Sequence, residues 1–89
     1  ANGNIVIDSI SSLEMTMGDS SYYEGAINNT NSAKSIKLKL DKSSNIKLTG
    51  DSYVTSLENE DTSNLNIDYN GYKLYINEKV RNKRRKYKK

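Results

Sequence analysis

With 89 residues and no Cys or His, the chain cannot form disulfides, thiolate sites, His-dependent triads or the common zinc hydrolase centres. Leu, Ile and Val supply only 18 of the 89 residues, so its core is thin, and it is expected either to stack its strands on neighbouring coils or to be a fragment of something longer. The formal charge of +3 conceals a split: residues 1–78 hold eleven acids against six Lys, whereas residues 79–89 hold eight bases and no acid.

No apolar run approaches the ~18 residues that a membrane-crossing helix needs. The chain begins at Ala1, which reads as a processed product or excised segment whose secretion signal would have lain outside it. Ser and Asn contribute 12 residues each, alongside five Thr. This composition suits either the turn-rich surface of a repetitive extracellular β protein or the codon bias of an AT-rich genome.

Along the chain, apolar and polar residues alternate in short runs, each expected to be a strand with one buried face. Ile5 and Ile7 form the first. Leu13, Met15 and Met17 form the second, bounded by Gly18, Asp19, Ser20 and Ser21, and Tyr23, Gly25 and Ile27 form the third, closed by the polar run 28–32. Residues 36–40, 46–48, 53–57, 65–67 and 72–76 follow, separated by turn formers. In the last run Tyr72, Leu74 and Ile76 are expected to face the core and Tyr75 the solvent. Leu13, Met15 and Met17 superimpose on Ile36, Leu38 and Leu40 at an offset of 23 residues, and a further step of 27–29 reaches Leu65 and Ile67. Recurrence on this scale is the signature of repeat architectures, in which each unit buries its face against the next.

Residues 48–57, Leu-Thr-Gly-Asp-Ser-Tyr-Val-Thr-Ser-Leu, together with residues 66–76, Asn-Ile-Asp-Tyr-Asn-Gly-Tyr-Lys-Leu-Tyr-Ile, resemble the last coils of bacterial β-helical surface proteins. These include autotransporter-passenger-like adhesins and adhesin-like proteins labelled carbohydrate-binding. The likeness covers residues 36–77. It implies an all-β, short right-handed parallel β-helix (solenoid) segment, secreted or on a bacterial cell surface, with a structural or adhesive role and no catalysis. The chain departs from that pattern in carrying Ile46 in place of an aromatic and a basic segment in place of a Gly/Ser-rich terminus.

Asn70-Gly71 supports a rival architecture, because a type I′ hairpin turn needs positive φ at both central residues. Closing it would set Tyr69 opposite Tyr72, Asp68 opposite Lys73, Ile67 opposite Leu74 and Leu65 opposite Ile76, with the apolar residues on one face. A small antiparallel β-sandwich or meander therefore stands as the alternative fold, with a carbohydrate-binding module as its function.

Seven Tyr occur without Phe or Trp. Tyr75, Tyr53 and Tyr72 are the candidates for stacking on sugar rings, against the plainer reading that Tyr is an ordinary strand residue. Lys79, Arg81, Lys83, Arg84, Arg85, Lys86, Lys88 and Lys89 form a basic, disordered tail (79–89) attached to the β body (1–78), and would attract anionic polymers or an anionic membrane. Nucleic acid is disfavoured, because the body is acidic and Tyr87 is the tail's only stacking side chain. Asn66, Asp68, Asn70 and Gly71 echo the start of an EF-hand loop, but an alternating strand follows where a helix is required, so a turn is expected and no metal or other cofactor. Glu58, Glu60 and Asp61 share one short loop without a cleft and read as solvated turn residues. Asn28-Asn29-Thr30 fits the glycosylation acceptor pattern, which matters only in a eukaryotic secretory route. The expected partners are surface glycans or neighbouring coils of a longer chain.

Overall fold

Among the described residues the chain forms nine strands, β1 (Ser12–Met17), β2 (Tyr22–Gly25), β3 (Ser35–Leu40), β4 (Asn45–Leu48), β5 (Ser52–Val54), β6 (Ser56–Asn59), β7 (Ile67–Asp68), β8 (Leu74–Ile76) and β9 (Lys79–Val80). The computed structural model describes residues 2–77 and the backbone of residues 79 and 80, and no helix occurs among them. The strands form three sheets, ordered β1-β3-β6, β2-β4-β7 and β5-β8-β9. Every pairing is parallel except β8 with β9.

Parallel neighbours cannot be joined by tight hairpins, so the chain must travel before it pairs again. It does so by visiting the three sheets in rotation, from β1 to β2, β3 to β4 to β5, and β6 to β7 to β8. Leu13 lies beside Ile36, Tyr23 beside Ile46 and Ser52 beside Leu74. At the N-terminal end, isolated parallel bridges set Asn2 beside Glu24 and Ile5 beside Ile27. Ile27 in turn accepts the Tyr53 N–H at 3.0 Å, which links it to β5.

The inward residues of all three sheets meet in one cluster that includes Ile36, Leu38, Leu40, Ile46, Leu48, Val54, Ile67 and Leu74. Leu38 is 1 % exposed. Its neighbour on β1, Met15, is only half-buried, because β1 has a strand on one side alone. Tyr69 and Tyr23 complete the cluster, and the buried Tyr23 hydroxyl donates to the Gly3 carbonyl. Burial raises the Tyr23 pKa, which keeps that donor protonated. Gly25 is required beside it, since a Cβ there would collide with the Gly3 carbonyl.

Asparagine makes the corners. Asn28, Asn31, Asn64, Asn70 and Asn77 all adopt φ between 51° and 59°, a left-handed conformation that Asn tolerates better than other residues with a Cβ. Two of these amides, and that of Asn66, also bridge to an adjacent pass of the chain: Asn28 Nδ2 donates to the Tyr53 carbonyl at 3.3 Å, Asn70 Nδ2 to that of Leu48 at 3.0 Å, and Asn66 Nδ2 to that of Asp41 at 3.2 Å. Hydroxyls fill gaps in the backbone ladder, with Ser52 Oγ accepting the Ile27 N–H and Thr55 Oγ1 the Ile36 N–H, each at 2.9 Å. These bonds give much of the Asn and Ser content a structural reason independent of codon usage.

Four expectations need correction. The run 53–57 is two strands in different sheets, because Thr55 turns the chain and its N–H is held by the Ile36 carbonyl at 2.7 Å. The third repeat does not continue on β3. Leu57 pairs with Leu38 there, whereas Ile67 pairs with Ile46 in another sheet and Leu65 is 61 % exposed. The antiparallel meander is not formed. Asn70 and Gly71 have the expected positive φ and Tyr72 N–H bonds the Tyr69 carbonyl at 2.9 Å, but β7 and β8 leave this turn for β4 and β5 respectively. Tyr72 belongs to that turn and is 38 % exposed instead of facing the core. The backbone of Lys79 and Val80, at the start of the basic segment, forms β9, and residues 81–89 lie outside the described residues.

Candidate functional site

Alternation along β5 turns Ser52 and Val54 inward and Tyr53 outward, and along β8 it turns Leu74 inward and Tyr75 outward. Parallel register then sets Tyr53 directly beside Tyr75. Their rings stack with centroids 4.6 Å apart and planes 7° from parallel, which makes an aromatic platform on the outer side of this sheet. The backbone beneath is fixed on both strands, with Asn77 N–H on the Val54 carbonyl at 2.9 Å and Ser52 N–H on that of Lys73 at 2.9 Å. Of the three candidate tyrosines the structure brings Tyr53 and Tyr75 together, while Tyr72 stays in its own turn.

A small notch adjoins this platform. Residues 28–34 carry the chain from Ile27 to β3, whereas Thr55 alone joins β5 to β6, so one pass bulges where the next is cut short. The step leaves a pocket of about 130 Å³, lined by Asn28, Asn31, Lys34, Tyr53, Thr55 and Asn77. Asn28 serves as its floor. Its Oδ1 accepts the N–H groups of Ser32 and Ala33 at 2.9 and 3.1 Å, and it is 4 % exposed. With its amide engaged at both ends, Asn28 is unsuited to carry a glycan in the folded chain. The composition of the notch escaped sequence reading, because the signal is a difference in loop length between passes that becomes visible only once the strands are registered.

A wider groove of about 400 Å³ runs beside β1, β3 and β6, lined among others by Thr16, Lys39, Asp41, Glu58, Asn59 and Glu60. Lys39 Nζ lies 3.5 Å from Glu14 and 3.9 Å from Glu58 across the outer face. Such exposed pairs contribute little, about 0–1 kcal/mol each. Glu58 lies on β6, apart from the loop expected for it, while Asp61 beyond the strand is a turn acceptor: its Oδ1 takes the Ser63 hydroxyl at 2.5 Å and the Ser63 N–H at 3.1 Å, and its Oδ2 the Asn66 N–H at 3.1 Å. Asp41 repeats the arrangement with Ser43 and Ser44.

The serine hydroxyls, followed by backbone N–H groups, favour the ionised forms of Asp41 and Asp61 and hold both carboxyls below their usual pKa. A carboxyl whose folded pKa is depressed adds stability above its unfolded pKa, and that stability is lost as pH falls through the folded value. The urea midpoint should therefore drop on acidification below about pH 4. Combining Asp41→Asn with Asp61→Asn should lower the midpoint at neutral pH and flatten this acid slope. An unchanged slope would exclude these two turns as its source.

The EF-hand-like residues do not converge. Asn66 bonds Asp41 and Asn59, Asp68 Oδ1 accepts the Asn70 N–H at 2.9 Å, and Asn70 reaches Leu48. Among the described residues no group of three or more acidic, His or Cys side chains is arranged to hold a metal ion, and no helix is long and apolar enough to cross a membrane. Lys79 contributes backbone to β9, and Arg81, Lys83, Arg84, Arg85, Lys86, Lys88 and Lys89 lie outside the described residues. No family model, curated protein or solved structure matches the chain.

Proposed function

We propose that the three sheets are the faces of a short right-handed β-solenoid, and that the chain is a non-catalytic structural or adhesive segment of a bacterial surface or secreted protein. The rotation of the chain through three parallel sheets, with one shared core and amides bridging successive passes, is the observation that carries this reading. Parallel crossovers are right-handed in about 98 % of cases, which supports the hand. A non-catalytic role is supported by the carboxylates: Asp41 and Asp61 are held ionised as turn acceptors, and Glu58 faces Lys39.

Adhesion would use the stacked pair of Tyr53 and Tyr75, in which each ring gives one face to its neighbour and leaves its other face, edge and hydroxyl for a sugar, with polar groups of the notch alongside. On a glycan array, Tyr75→Ala should weaken any bound glycan by roughly 3- to 10-fold, the range expected for one lost stacking contact. Undiminished binding by this variant would move the contact off the platform. The charge split favours a second reading, in which the basic segment binds polyanions. Removal of residues 81–89, which spares β9, should then abolish salt-sensitive binding to heparin-like polymers. Unchanged binding would refute that reading.

A further inference from the structure

We infer that Tyr53 and Tyr75 form a site of oxidative phenol coupling, at which a one-electron oxidant of the peroxide-driven haem peroxidase class would staple adjacent passes of the chain through a carbon–carbon bond. The inference goes beyond the adhesive reading and does not depend on it. Coupling of two phenols needs both rings oxidised, held close enough for an ortho carbon of each to meet, and reachable by the oxidant. Here the centroids lie 4.6 Å apart with planes 7° from parallel, and among the described residues this is the one stacked ring pair. Parallel register between β5 and β8 makes the two residues direct neighbours, so both rings rise side by side from the same face of the sheet. Both rings are half-buried on an outward face and are therefore accessible. Tyr23 and Tyr69 are buried, out of reach of a macromolecular oxidant, and Tyr22 and Tyr72 lie on other strands or turns than the β5–β8 pair.

Each phenol would lose one electron and one proton to give a phenoxyl radical with spin density on its ortho carbons. The two radicals join through one ortho carbon each, and the hydrogen on each joined carbon shifts to oxygen as the rings regain aromaticity. The net change is the loss of two hydrogens, which reduce one hydrogen peroxide to two waters through the peroxidase. The product joins residues 53 and 75 and closes the segment between them into a loop, a constraint on the unfolded chain of the kind a disulfide imposes.

The test treats the full chain, in a Tyr87→Phe background that removes the tyrosine outside the described residues, with peroxidase and hydrogen peroxide. The expected result is a monomer lighter by two hydrogens, formed at a fraction independent of protein concentration, with the fluorescence of a coupled bisphenol. Peptide mapping should join the Tyr53 and Tyr75 peptides, and the urea midpoint should rise. Tyr53→Phe and Tyr75→Phe, which retain ring packing and are checked for strand content by circular dichroism, should each abolish the monomeric product. Coupling found only in dimers, spread over Tyr22 and Tyr72, or retained in folded Tyr53→Phe would overturn the inference.

Discussion

Leu38→Ala is expected to cost about 2–5 kcal/mol and to lower the urea midpoint steeply. Leu38 is 1 % exposed and sits between Met15 and Leu57 on the middle strand of its sheet, so truncation leaves a cavity with covered walls on both sides. A body with so thin a core has stability near the low end of the usual ~5–15 kcal/mol, and one such loss consumes much of it. Leu13→Ala is the comparison. It removes an inward side chain of equal size from the edge strand β1, where Leu13 is half-buried, and should lower the urea midpoint much less. Equal losses at Leu13 and Leu38 would contradict the placement of β3 between β1 and β6.

The second large effect is expected at Asn28. Asn28→Ala removes the acceptor for the N–H groups of Ser32 and Ala33, breaks the bridge to the Tyr53 carbonyl, and puts a Cβ-bearing residue without a local amide at φ 51°. Leaving such buried groups unmatched costs about 1–3 kcal/mol, and left-handed strain adds about 1–2 kcal/mol for a residue such as Ala. The combined loss should be about 2–5 kcal/mol by urea denaturation. Asn28→Gly separates the two causes, because it relieves the strain and restores no hydrogen bond. It should recover about 1 kcal/mol of the loss. Full recovery with Gly would mean that the amide contributes nothing and that backbone conformation alone selects Asn at this corner.

The strands were legible in the sequence because their physical cause is local. Alternation in residues 12–17, 35–40 and 45–48 reports which side chains point inward, and the offset of 23 between Leu13 and Ile36 became an observed register. What alternation cannot report is which strand pairs with which. Residues 53–57 kept the period of one strand although Thr55 carries the chain from one sheet to the next. Asn70-Gly71 carried a hairpin signal, yet the local turn formed without the hairpin, because burial of Ile67 beside Ile46 and of Leu74 beside Ser52 decided the partners. Passes of unequal length, set by residues 28–34 and by Thr55 alone, also hid the third repeat and the notch. Of the candidate site, the outward orientation of Tyr75 was readable from alternation, whereas its stacking on Tyr53 required a parallel register that turn chemistry argued against.

The most direct test of the account is the set of backbone nuclear Overhauser contacts of the isotopically labelled chain in solution. Stacked parallel passes predict that Leu38 contacts both Met15 and Leu57, that Ile46 contacts both Tyr23 and Ile67, and that Tyr53 contacts Tyr75. Cross-strand contacts of Ile67 with Leu74 and of Leu65 with Ile76, the antiparallel pairs about the Asn70-Gly71 turn, would contradict it.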